Sequence, residues 1–148
     1  MVPASSAPTG DKQSAALSAA VATAACDIMR RDPVTIDPRA LLAEADDVMQ
    51  REGFHQLPVV EGGKVVGILS KRDLQAHTGY WTHTKVDAAM TLGPRTVAPT
   101  ATTLEVARVL IDKQINSVPV VEDDRLVGIV TRTDLLRVLV RLLESASG

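Results

Sequence analysis

Moved along itself by 61 positions, this chain matches its own second half. Residues 29–74 fall on residues 90–135 without a gap, and sixteen of the 46 aligned positions are identical. Met29 meets Met90, Pro33 meets Pro94, Thr35 meets Thr96, Pro38 meets Pro99 and Glu44 meets Glu105. The densest agreement is LPVVE (57–61) against VPVVE (118–122), and VVGILSKRDL (65–74) against LVGIVTRTDL (126–135). A repeat of this kind is one supersecondary unit used twice. Two copies within 148 residues predict half-cores that complete each other around a pseudo-twofold axis, in a chain of single-domain size.

Each copy reads as β-α-β-β-α, so the fold class is α/β in the broad, α+β sense. Val34–Ile36 and Arg95–Val97 are expected as short strands, each closed by a proline two residues on. Leu41, Leu42, Ala45, Val48 and Met49 follow helical spacing, as do Leu104, Ala107, Leu110 and Ile111. Thr102 with Glu105 fits a capping box. The strand pairs Leu57–Glu61 with Lys64–Leu69, and Val118–Glu122 with Arg125–Val130, are joined by Gly62-Gly63 and Asp123-Asp124. Both two-residue joints suit tight hairpins. A last helix over about Arg132–Leu143 carries a broad apolar face: Leu135, Leu136, Val138, Leu139, Leu142 and Leu143. The first unit is assigned to residues 26–77, the connection to 78–85 and the second unit to 86–143.

Residues 1–25 are expected as a tail. Positions 1–13 carry little apolar bulk and cannot repay the entropy of ordering. The Ala-rich stretch 14–25 favours a helix, with Cys26 as a small buried hydrophobe beyond it. A secretory or lipoprotein signal is disfavoured, because Lys12 is the sole basic residue before that stretch and Asp11 sits beside it.

Composition narrows the function. One cysteine excludes an internal disulfide and any multi-thiolate metal site. No apolar run approaches the roughly 20 residues that span a bilayer, so a cytoplasmic protein without membrane association is expected. Sixteen basic against eighteen acidic residues, with Phe54, Tyr80 and Trp81 as the aromatics, argue against nucleic-acid binding. His55, His77 and His83 lack metal-ligand spacing. No nucleophile–base signature accompanies Ser70. The chain is therefore expected not to be an enzyme.

The repeated strand-to-helix turns, GILSKRD (67–73) and GIVTRTD (128–134), carry the candidate chemistry. A hydroxyl and free amides at a helix start attract an anion. A carboxylate three residues later repels phosphate but accepts hydrogen bonds from vicinal ribose hydroxyls. Ser70 with Asp73, and Thr131 with Asp134, thus suit a nucleoside phosphate, with Arg132 placed to neutralise it. They equally suit plain capping boxes, and duplication copies caps as readily as sites.

The ensemble of a Pro-Val strand, a hairpin and G-h-x-[ST]-x-x-D, present twice in this order, resembles a pair of CBS (cystathionine-β-synthase-type) domains over about residues 26–143. That resemblance implies two units packed into one module, with clefts for AMP, ADP, ATP, NAD or S-adenosylmethionine as regulatory ligands and no catalytic cofactor. It implies that Asp73 and Asp134 hold ribose while Ser70 and Thr131 hold phosphate. Base-side contacts fall to Val34, Thr35, His55 and Gln56 in the first unit, and to Arg95, Thr96, Asn116 and Ser117 in the second. The clefts are expected to be composite, the first unit's base contacts meeting Thr131 and Asp134, and conversely. A homodimer through the last helix and an unidentified effector protein are the expected partners. The competing reading is an interaction scaffold whose clefts have lost function.

Overall fold

The computed structural model describes residues 6–147. Its elements are α1 (Ser6–Ala22), α2 (Ala25–Ile28), β1 (Arg30–Arg31), α3 (Leu42–Glu52), β2 (Gln56–Glu61), β3 (Lys64–Ser70) and α4 (Lys71–Ala76). There follow a 3₁₀ turn (Val86–Ala88), β4 (Thr91–Leu92), α5 (Thr103–Lys113), β5 (Ser117–Glu122), β6 (Arg125–Thr131) and α6 (Arg132–Ser147). Two three-stranded sheets result, β2-β3-β4 and β1-β6-β5.

The hairpins form where expected. Gly62, Gly63, Asp123 and Asp124 all take positive φ, the backbone that a two-residue turn between twisted strands requires. Both hairpins slip register at matching places, between Val59 and Val60 and between Val120 and Val121. The duplication therefore preserved even the bulge.

The strand orders hold the main surprise. β1 opens the first unit yet pairs with β6 of the second, Arg30 opposite Ile129 and Arg31 opposite Gly128. β4 returns the favour, Thr91 opposite Ile68 and Leu92 opposite Gly67. The residues just before each short strand cross over too. The Ala25 amide donates to Ala101 O at 2.8 Å and the Val86 amide to Ala40 O at 2.8 Å. Each half thus lends its lead-in segment to the core of the other. The first core packs Leu42, Ala45, Met49, Leu57, Val59, Leu69 and Leu74 around Val86. The second packs Ala101, Val106, Leu110, Val118, Val120 and Val130 around Ala25. Gly67 and Gly128 make the crossing possible. A Cβ on Gly67 would stand 2.5 Å from Met90 Sδ, and a Cβ on Gly128 would strike Met29 and stand 3.0 Å from Arg30 O.

Several expectations are corrected. Val34–Ile36 and Arg95–Val97 are not strands but single parallel bridges, Ile36 to Val59 and Val97 to Val120. Prolines at 33, 38, 94 and 99 bracket both segments, and proline brings no amide to extend a ladder. The final helix continues to Ser147 rather than ending at Leu143. Helix α1 begins at Ser6, inside the stretch expected to be mobile, while positions 1–5 of that stretch lie outside the described residues. It packs on α6 and α5, and its end is fixed where the Thr103 hydroxyl donates to Thr23 O at 2.8 Å. Ala25 rather than Cys26 takes the buried place; Cys26 is half-buried. Within the connection, Trp81 packs against the first core and its indole N–H donates to Leu74 O at 2.8 Å. Among the described residues no helix is long and apolar enough to cross a membrane.

Candidate functional site

Where the two halves meet, a cleft of about 750 Å³ opens, within the size range of small-molecule sites. Gln56 and Ser117 line it, and the Ser117 hydroxyl donates to Gln56 Oε1. From the first half come Val34, Phe54, His55 and Pro58; from the second come Asn116, Ile129, Thr131, Arg132, Asp134 and Arg137. Ile28, Met29 and Arg30 of the exchanged segment line it as well. Arg30 places its guanidinium carbon 4.7 Å from the centre of the Phe54 ring, within range of a cation–π contact.

The start of α6 is tightly organised. The Thr131 amide and hydroxyl donate to Asp134 Oδ2 at 2.8 and 3.0 Å. The Asp134 amide donates back to the Thr131 hydroxyl at 3.3 Å. The Arg132 amide donates to Asn116 O at 3.0 Å. So the capping box is real: it consumes Oδ2 and the Thr131 and Asp134 amides, while the Arg132 amide is taken by Asn116 O. An anion at this helix start would therefore use the Thr133 amide and side-chain donors. Asp134 Oδ1 is outside the cap and lies 3.6 Å from an Arg137 terminal nitrogen, beyond ordinary hydrogen-bond length. Cap and diol acceptor are hence compatible on one carboxylate.

The start of α4 repeats the pattern. Ser70 N and Oγ donate to Asp73 Oδ2 at 2.7 and 2.9 Å, and the Asp73 amide returns to Ser70 Oγ at 3.2 Å. The Lys71 amide donates to His55 O at 2.9 Å. Here Ala76 stands where the 61-residue repeat puts Arg137.

Of the residues singled out from sequence, Val34, His55, Gln56, Asn116, Ser117, Thr131, Arg132 and Asp134 come together around the cleft. Thr131 and Asp134 share this lining with Val34, His55 and Gln56 of the first unit and with Asn116 and Ser117 of their own. Thr35 is exposed and outside this lining. Arg95 and Thr96 line a second groove of about 600 Å³ with Glu105, Arg108 and Asp112. Ser70 and Asp73 belong to neither lining. Sequence reasoning missed Arg30, Phe54 and Arg137. Phe54 directly precedes His55 and was within reach of that reasoning, whereas Arg30 arrives through a strand exchange that no periodicity announces.

Fold and cleft together define a tandem-repeat module with its site at the seam between the repeats. The family model described as CBS domain matches residues 25–77 and 86–141, and the chain belongs to the CBS domain family. The chain is 36% identical over 107 residues to an inosine-5'-monophosphate dehydrogenase of Korarchaeum cryptofilum, covering 71% of this chain but 22% of that protein. Among solved structures, the CBS domain pair of protein MJ0100, in complex with 5'-methylthioadenosine and S-adenosyl-L-methionine, aligns at TM-score 0.73 and 29% identity. That alignment covers 79% of this chain and 95% of the other. A putative acetoin utilization protein (AcuB) from Vibrio cholerae aligns at TM-score 0.74 and 32% identity, over 82% and 93% of the two chains.

Proposed function

We propose that this chain is a regulatory module that binds an adenosine-containing ligand in the cleft between its CBS units. The candidates are AMP, ADP, ATP, NAD and S-adenosylmethionine. The observation that carries the reading is the Asp134 carboxylate. One oxygen is fixed by the cap and the other is left at a cleft that both repeats line. In this reading Asp134 accepts from the ribose hydroxyls, the Thr133 amide and the Arg132 side chain meet phosphate, and Thr131, whose amide and hydroxyl are spent on Asp134 Oδ2, holds that carboxylate in place. Val34, Pro58 and Ile129 offer the base an apolar surface, and His55, Gln56, Asn116 and Ser117 offer it hydrogen bonds. Ser70 and Asp73 line neither groove; whether they hold a second ligand at their own helix start is decided by titrating Asp73→Asn. The adenosine compounds bound by the MJ0100 pair support the ligand class.

A ligand bridging both halves favours the arrangement in which their donors converge, and so shifts an existing equilibrium. The reading includes no catalytic step. The signal passes to an effector protein, in the cytoplasm, from a homodimer. The dimer is supported by Leu136, Leu139, Val140 and Leu143 on α6, which stay exposed although α1 packs on that helix. The test is thermal denaturation with each candidate. A ligand that binds the folded state alone raises the melting temperature by mass action. A rise with at least one candidate, and a weaker one with adenine, is expected. No rise with any would favour the scaffold reading instead.

A further inference from the structure

The charges around the cleft narrow the ligand beyond the class proposed above, on which this inference rests. Arg30, Arg132 and Arg137 line it, against Asp134 as the single carboxylate. Three guanidinium groups and one carboxylate leave an excess of two positive charges. Arg137 has a particular position. It stands one turn along α6 from Asp134 and 3.6 Å from Oδ1, the oxygen that ribose needs. Its side chain is 71% exposed while that of Asp134 is 15% exposed. The arginine is thus held loosely and the carboxylate firmly.

We propose that this cleft selects adenosine ligands carrying an anionic phosphate chain and disfavours the cationic sulfonium ligand S-adenosylmethionine, with Arg137 as the specificity-determining residue. A phosphate chain gives the Arg137 guanidinium a bidentate partner better than its long contact with Oδ1. Arg137 then swings to the phosphate and releases Oδ1 to the ribose. A ligand with no anionic chain must share Oδ1 with the arginine. S-adenosylmethionine brings one carboxylate, but its ammonium and sulfonium leave it net positive in a cleft with surplus positive charge, where like charges repel even when partly screened. The repeat supplies an internal contrast, since Asp73 has Ala76 at the equivalent place and no ion-pair partner among the described residues.

The test is calorimetry with ADP, AMP, adenosine and S-adenosylmethionine. It uses the full chain carrying Asp73→Asn, which removes the second carboxylate, with and without Arg137→Gln. The expected result is ADP tighter than AMP, and S-adenosylmethionine weaker than ADP by about tenfold or more. Arg137→Gln should lower ADP affinity by about tenfold and leave adenosine affinity unchanged or raised. S-adenosylmethionine binding as tightly as ADP would overturn the proposal and leave the adenosine reading standing. An equal loss of ADP and adenosine in Arg137→Gln would do the same, by making the arginine a general support of the cleft. Binding of none of the four compounds would overturn both.

Discussion

Gln56 and Ser117 occupy the same position in the two repeats, 61 residues apart, and they touch: the Ser117 hydroxyl donates to Gln56 Oε1. A residue meets its own counterpart only on the axis that relates the copies. The seam between the halves is therefore marked by a polar contact, with Ser117 buried at 6% exposure. Ser117→Ala should cost about 1–2 kcal/mol, because it strands a partly buried amide oxygen. Gln56→Leu with Ser117→Ala should cost less than the two single changes added together. Urea unfolding of the three variants measures this, and strict additivity would count against the contact.

The two aspartates separate capping from ligand binding. Asp134→Asn removes charge from an oxygen pair of which one member serves the cap. Stability without ligand should fall by a few tenths to about 1 kcal/mol. Nucleotide affinity should fall ten- to a hundredfold, about 1.5–3 kcal/mol, through loss of charge-assisted hydrogen bonds. Asp73→Asn in a separate titration counts the sites. If it is silent where Asp134→Asn abolishes binding, one cleft functions. Unaltered affinity in the double variant would defeat the site assignment.

Gly128 is the floor on which the exchanged segment rests. Gly128→Ala sets a Cβ against the Met29 side chain and 3.0 Å from the Arg30 carbonyl oxygen. Overpacking of this kind typically costs about 1–3 kcal/mol. Met29→Ala on the same chain should recover part of the loss, the carbonyl contact remaining. Thermal melting of the single and double variants reads this, and a neutral Gly128→Ala would mean that the segment shifts freely.

The α6 face tests the assembly. Light scattering on the full chain should give a dimer mass. Leu139→Glu with Leu143→Glu should give a monomer, since both side chains are about half exposed, at 46% and 58%, and charge is costly in an apolar interface. A monomer mass for the unaltered chain removes the dimer from the proposal.

The repeat, the hairpins and the capping boxes were legible because each depends on neighbours in sequence. Gly62-Gly63 and Asp123-Asp124 declare their turns by residue type alone, and Thr131 declares its carboxylate three residues on. The family resemblance placed Thr131 and Asp134 against His55 and Gln56, which periodicity could not have done. What stayed hidden was set by distant partners. Arg30–Arg31 is a strand because β6 offers it a ladder, and two residues carry no alternation to read. Val34–Ile36 looked like a strand because its residue types suit one; its flanking prolines left a single bridge. Arg137 was hidden because its importance lies in a distance to Asp134.

The exchanged segments give the chain an order of assembly that its symmetry conceals. Synthesis runs from one end, and domains tend to form as their parts emerge. The first core is complete once Val86 has left the ribosome, and its sheet once Leu92 has followed. Ala25 and Arg30, made earlier than either, must wait uncovered until Val130 and Ile129 appear. Pairings between residues so far apart in the chain are slow to form. The cleft lined by Arg30 and Asp134 is therefore among the last features of the two repeats to form, and it closes only after most of the second repeat has been made.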